Sequence, residues 1–149
     1  MRTVAVIPAR YQSSRFPGKP LALLHGKPII QHVYESVCRT ALFTDVLVAT
    51  DDERIFRTCL SLHMKVVMTS ADHQSGSDRV AEVIRDMNID IVVNVQGDEP
   101  FIQAEPLRHI LAAFEKTNAD VVSLMHPMQE EEEINNDLYR EYTMQDFLD

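Results

Sequence analysis

The feature that most constrains this chain is a repeated alternation of short β-branched runs with longer segments of helical period. Residues 3–7 (TVAVI) form such a run, ended by Pro8, and read as a buried strand. Ile29, Ile30, Val33, Tyr34 and Val37 then recur at helical spacing, with Pro28 suited to the first turn. Residues 45–50 (DVLVAT) make a second strand, and Asp51 or Asp52 can cap a helix carrying Ile55, Phe56, Cys59 and Leu60. Residues 65–68 make a third strand. After a polar loop over 69–76, Ser77 is placed to cap a helix through Val80, Val83, Ile84 and Met87. Residues 89–95 are apolar apart from Asp90 and Asn94, the pattern of a strand covered on both faces at the centre of a parallel sheet. Leu107, Ile110, Leu111 and Phe114 mark another helix, and residues 120–124 another strand. This order predicts an open, mostly parallel α/β sheet with right-handed crossovers.

Composition agrees with a globular domain. The chain has 149 residues, of which 45% are hydrophobic and 25% charged, enough for one domain, or one domain and a tail, without a disulfide or metal staple. Its 23 acidic residues against 14 basic ones give a net charge of −9, which argues against sequence-independent nucleic-acid binding. The acidity is uneven. Residues 129–149 hold eight acids and one base, Arg140, so the body over 1–128 is close to neutral. The chain is therefore expected to divide into an α/β body over 1–128 and an acidic, poorly packed tail over 129–149.

Cys38 and Cys59 lie in helix-like patterns without C-x-x-C spacing and are expected to be buried free thiols. The first apolar run is too short for a signal-peptide core, and no stretch approaches the roughly 20 apolar residues of a membrane span. A soluble cytoplasmic protein with no membrane partner is the expectation. His25, His32, His63, His109 and His126 show no H-x-x-x-H spacing and are not promoted to metal ligands.

In open α/β sheets ligands sit beyond the carboxyl ends of the strands, and three loops there carry unusual chemistry. Residues 8–19 place Arg10, Arg15 and Lys19 in a loop stiffened by Pro8 and Pro17 and open at Gly18. Two guanidiniums and an ammonium suit a polyphosphate; a solvated basic loop is the plainer alternative. The loop is no Walker sequence, because Pro20 follows Gly18 and Lys19 and Ser13 stands at the earlier glycine position. Residues 95–100 hold Gln96, Gly97 and Asp98, where a carboxylate can hold Mg²⁺ against phosphate and Gly97 permits close approach of a ligand; an ordinary turn is the alternative. Residues 73–79 hold Ser75, Ser77 and Arg79 at a helix start, where hydroxyls can meet a base or ribose or simply cap the helix. Together the loops offer what a metal–nucleotide site requires.

Residues 8–21 (PARYQSSRFPGKPL), 49–55 (ATDDERI), 68–70 (MTS) with 72–79 (DHQSGSDR), and 94–100 (NVQGDEP) resemble, in order and spacing, the motifs of the 3-deoxy-manno-octulosonate (KDO) cytidylyltransferases. The resemblance covers about residues 2–128. It implies a Rossmann-like sheet of the nucleotide-diphospho-sugar transferase type, incomplete at the C-terminus, and the conversion of CTP and KDO to CMP-KDO and diphosphate for lipopolysaccharide synthesis. It further implies that Arg10, Ser13, Arg15 and Lys19 hold the triphosphate, with Arg10 and Lys19 stabilising the transition state. Asp98 would bind Mg²⁺, and Ser75, Gln96 and Arg79 would hold or read the nucleotide. Members of the family are homodimers. Their later half carries the dimer contact, most of the sugar site and a second metal ligand. Residues 137–149 do not match the family pattern, so a truncated chain with at most nucleotide binding is one expectation. A nucleotidyltransferase for another sugar acid is a further alternative.

Overall fold

The structure is a computed structural model that describes residues 1–13 and 15–119. The expected strand over 120–124 and the acidic tail over 129–149 lie outside the described residues.

Four parallel strands form the sheet: β1 (Thr3–Pro8), β4 (Asp45–Thr50), β5 (Val66–Met68) and β6 (Ile91–Asn94), in the order β5-β4-β1-β6. A small antiparallel ribbon, β2 (Leu23–Leu24) and β3 (Lys27–Pro28), lies between β1 and the first helix. The helices are α1 (Ile29–Arg39), α2 (Glu53–Ser61), α3 (Gly76–Ile84) and α4 (Ala104–Lys116). Each follows a sheet strand, apart from the ribbon before α1, so the strand–helix alternation holds over the described residues.

β1 is the centre of the sheet. Val4, Ala5, Val6 and Ile7 are all fully buried, and their alternation divides them between two faces. Ala5 and Ile7 pack with Ile30, Val33 and Val37 of α1, Ile55 and Cys59 of α2, and Leu107 and Ile110 of α4. Val4 and Val6 pack with Ala49 and Val80, joined by Val83 and Ile84 of α3. Burying such a side chain is worth about 1.5–3 kcal/mol, so β1 is the element on which both cores depend.

The strand over 89–95 is β6, which pairs with β1 and has no further partner among the described residues. Its apolar pattern has a reason. Ile91, Val93 and Val95 join the first core and Val92 the second, so both faces are covered. The cap of α3 is also shifted. The Ser75 hydroxyl, not that of Ser77, accepts the Asp78 amide at 3.1 Å. With Ser75 as cap, the acidic Asp78 falls in the first turn, where it favours the helix dipole, and Val80 stays in the core. Asp52 caps α2, accepting from the amides of Arg54 at 2.9 Å and Ile55 at 3.1 Å. Pro28 occupies the cap position of α1 rather than its first turn. Cys59 is buried as expected, whereas Cys38 is exposed, because α1 turns that face outward. No helix among the described residues is long and apolar enough to cross a membrane.

Candidate functional site

Because the sheet strands are parallel, the segments after β1, β4, β5 and β6 emerge at one edge. β1 and β6 are neighbours there, and their loops enclose a cavity of about 330 Å³. The loop after β1 contributes Arg10, Gln12, Ser13, Phe16 and Lys19, and the loop after β6 contributes Gln96, Gly97 and Asp98. Gly76, the first residue of α3, reaches the same cavity.

Backbone contacts set the approach of the two loops. The Ala9 amide donates to the Ala49 carbonyl at 2.9 Å, and the Val95 amide donates to the Val6 carbonyl at 3.0 Å, so both strands are held one residue past their formal ends. Gly97 then passes the end of β1 so closely that a Cβ there would lie 2.8 Å from the Pro8 carbonyl oxygen. The sequence reserved this glycine for a ligand; the structure uses it to bring the two loops together. Across the cavity the Lys19 ammonium lies 3.7 Å from the Asp98 carboxylate. Cation and carboxylate thus come from separate loops and meet on the cavity wall.

The eight residues singled out in the sequence fall into distinct places. Arg10, Ser13, Lys19, Gln96 and Asp98 all line this cavity. The Ser13 hydroxyl accepts the amides of Arg15 and Phe16, both at 3.3 Å, and so also shapes the loop. Arg15 is exposed and is not among the lining residues. Ser75 is committed to its cap. Arg79 is only 2% exposed, and its Nη1 donates to the Thr69 hydroxyl and to the Ser70 carbonyl at 3.1 Å, with the Asp51 carboxylate 3.9 Å away. Arg79 therefore holds the loop after β5 against the end of β4. It also borders a second cavity of about 360 Å³, which adjoins the first through Arg10 and Gln12 and includes Asp51 and His73.

The loop after β5 is tied down a second time. The Glu82 carboxylate accepts the Ser70 amide at 3.0 Å and pairs with the His73 ring at 2.7 Å. Those two contacts, the amide first, hold the Glu82 carboxyl below the usual carboxylate range. Sequence reading missed Gln12 and Phe16 as cavity residues. Phe16 is 50% exposed, and a large apolar residue left open inside a cationic loop was the available signal.

Among the described residues no cluster of three or more His, Cys, Asp or Glu side chains could hold a metal ion by itself. What the cavity offers is two cations, one carboxylate, two side-chain amides and a hydroxyl. Cations from a stiffened loop suit phosphate oxygens. A lone carboxylate suits a hard divalent ion that keeps its waters and shares phosphate oxygens.

Comparison with known proteins gives the same direction. A family described as Cytidylyltransferase matches residues 4–141. The 3-deoxy-manno-octulosonate cytidylyltransferase of Flavobacterium johnsoniae is 48% identical over 139 residues, covering 91% of this chain and 57% of the relative. That of Trichlorobacter lovleyi is 52% identical over 114 residues, covering 76% of this chain and 45% of the relative. Among solved structures, a CMP:2-keto-3-deoxy-manno-octonic acid synthetase complexed with CTP is similar with a TM-score of 0.76 at 45% identity, covering 80% of this chain and 49% of that one. The chain thus spans about half the length of the curated relatives it matches. With the family match extending over most of its residues, the chain belongs to the cytidylyltransferase family.

Proposed function

We propose that this chain provides the nucleotide site of a KDO cytidylyltransferase, which joins CTP and 3-deoxy-manno-octulosonate to give CMP-KDO and diphosphate. The observation that carries the reading is the convergence of Arg10, Ser13, Lys19, Gln96 and Asp98, from two neighbouring strand ends, on one cavity. The names of the relatives supply the substrates.

In this reaction the anomeric hydroxyl oxygen of the sugar acid bonds to the α-phosphorus. The bond from that phosphorus to the bridging oxygen breaks, and diphosphate leaves. Arg10 and Lys19 hold the phosphate oxygens and neutralise the charge that builds on them, as donors already in place before the reaction. Arg15 joins the triphosphate set on the resemblance alone. Gln96 hydrogen-bonds the nucleotide from the cavity wall, while Ser75 and Arg79 act on it through the shape of the loop after β5.

Asp98 fits Mg²⁺. It is a hard oxygen donor, its side chain is 41% exposed at the cavity, and one carboxylate with waters and phosphate oxygens is a usual Mg²⁺ set. Bound there, the ion would act as a Lewis acid and as a template for the phosphates. The Lys19 ammonium lies 3.7 Å from the same carboxylate. A role in lipopolysaccharide synthesis, a cytoplasmic site of action and a homodimer of the longer enzyme belong to the same proposal.

Calorimetric titration of the chain with Mg·CTP, Mg·ATP and Mg·GTP tests the proposal. The expected result is binding of CTP at least tenfold tighter than either purine nucleotide. Preference for another base, or no binding of any nucleotide, overturns it.

A further inference from the structure

The loop carrying Arg10 and Lys19 contains little regular structure between β1 and the short 3-10 turn at Lys19–Leu21. A loop of that kind ordinarily samples many conformations, and ordering its backbone costs conformational entropy. Here a chain of contacts does the ordering. The Gly18 amide donates to the Tyr11 carbonyl at 2.7 Å, tying the two ends of the loop together. The Tyr11 side chain lies against the same glycine. A Cβ on Gly18 would stand 2.8 Å from Cε2 and 3.0 Å from Cζ of the ring, and Gly18 has a left-handed φ of 74°.

The ring is held in turn by α2. The guanidinium carbon of Arg54 lies 3.2 Å from the Tyr11 ring centroid, a stacked cation–π contact. Arg54 is itself fixed, because its Nε and Nη2 reach the two oxygens of Asp52 at 3.3 and 2.8 Å. Asp52 is anchored as the cap of α2. The constraint therefore runs from a helix cap, through a guanidinium and an aromatic ring, to the residue immediately before Lys19.

We propose that Tyr11 and Arg54 are positioning residues for the phosphate loop: their stack presets the backbone at Gly18, and so sets where Lys19 presents its charge. The functional consequence rests on the nucleotide reading above, whereas the stack rests on contacts alone. Arg54 is 55% exposed and Tyr11 half-buried, so neither is a core residue whose removal should unfold the domain. Their planar groups matter more than their charge or hydroxyl. A lysine at 54 could neither stack flat on the ring nor grip Asp52 with two nitrogens.

The test uses the full chain and the variants Y11L, Y11F and R54A. Amide hydrogen exchange is followed at Gly18 and Lys19, with Mg·CTP affinity and apo melting temperature measured in parallel. The expected result is that Y11L and R54A speed exchange at Gly18 at least tenfold and weaken Mg·CTP at least fivefold, with melting temperatures within about 3 °C of wild type. Y11F, which keeps the ring, restores both readings to within twofold. Unchanged exchange at Gly18 in Y11L and R54A overturns the proposal. Faster exchange with wild-type CTP affinity also overturns it, since the stack would then order the loop without positioning the cation. Failure of Y11F to restore either reading overturns the role of the ring. If the wild-type chain binds no Mg·CTP, the cytidylyltransferase reading fails, and exchange at Gly18 still decides whether the stack sets the loop.

Discussion

Replacing Gly97 by alanine tests how the cavity is held together. Gly97 is outside the left-handed region, so alanine meets no backbone penalty there. The cost comes from contact alone. The new Cβ would lie 2.8 Å from the Pro8 carbonyl oxygen, 3.3 Å from the Ala9 Cβ and 3.5 Å from the Ala9 Cα. A relaxed carbon–oxygen contact needs about 3.3 Å or more, so the two loops must part by roughly 0.5 Å. No rotamer change can relieve this, because the nearest atom is backbone, pinned by the hydrogen bonds Ala9 to Ala49 and Val95 to Val6. Overpacking of this kind costs about 1–3 kcal/mol. Taking about 2 kcal/mol, the melting temperature should fall by roughly 5–10 °C for a domain of this size. Gly76→Ala is the control. Its Cβ would lie 3.1 Å from Pro8 Cγ, a ring atom that can give, and a helical alanine is favoured over glycine by up to about 1 kcal/mol. It should melt within about 2 °C of wild type. Differential scanning calorimetry of both variants decides. A Gly97→Ala protein that melts with wild type, or a Gly76→Ala protein that falls as far, would refute the reasoning.

Three further outcomes are expected. Asp52→Ala should cost about 1 kcal/mol at neutral pH through loss of the cap. The Arg54 guanidinium, foremost, and the capped amides hold this carboxyl below its ordinary value. Its contribution is therefore complete above about pH 4 and lost as pH falls through the lower folded value, so urea midpoints of wild type and variant should converge below pH 4, and a constant gap would contradict this. Leu107→Ala, at a residue 1% exposed where α4 meets the sheet, should cost about 3 kcal/mol by urea unfolding with an unchanged m-value; a loss under about 1 kcal/mol would mean that α4 is not docked as described. In native protein a thiol reagent should modify exposed Cys38 and spare Cys59, which is fully buried with its pKa raised to about 11 by burial. Two native equivalents, or a native signal that survives Cys38→Ser, would count against that placement.

The sequence made β1, β4 and the four helices legible because each carries a long or strongly periodic apolar pattern. It also gave β6 as a strand covered on both faces. Burial on both faces and a central place in the sheet produce the same apolar run, and only pairing separates them. The β2–β3 ribbon went unseen because each strand has two residues and its turn is His25 and Gly26, at φ 53° and 79°, rather than the Asn-Gly pair that usually marks such turns. For the site, charge type and strand-end position singled out Arg10, Lys19 and Asp98, and the resemblance added Gln96; the structure brings all four to one cavity. Ser75 was chosen as a hydroxyl at a helix start and Arg79 on the resemblance, but their polar atoms face neighbouring chain as well. A hydroxyl that caps a helix and one that meets a ligand look alike in a string of letters. The Tyr11–Arg54 stack could not be read at all, since nothing in the spacing of residues 11 and 54 says that a ring and a guanidinium will meet.

The place of β1 in the sheet also bears on how the chain is made. One edge of β1 is taken by β4 at Asp45–Thr50, but the other waits for β6, whose Ile91 pairs with Thr3 across 88 positions of sequence. At about 5–20 residues per second on the ribosome, the two partners of β1 emerge several seconds apart. Until the second arrives, one edge of the most apolar strand stays open, and Lys19 lacks the Asp98 carboxylate that it meets on the cavity wall. The cavity is thus a late product of vectorial synthesis: it exists only once the last strand of the described sheet has closed on the first.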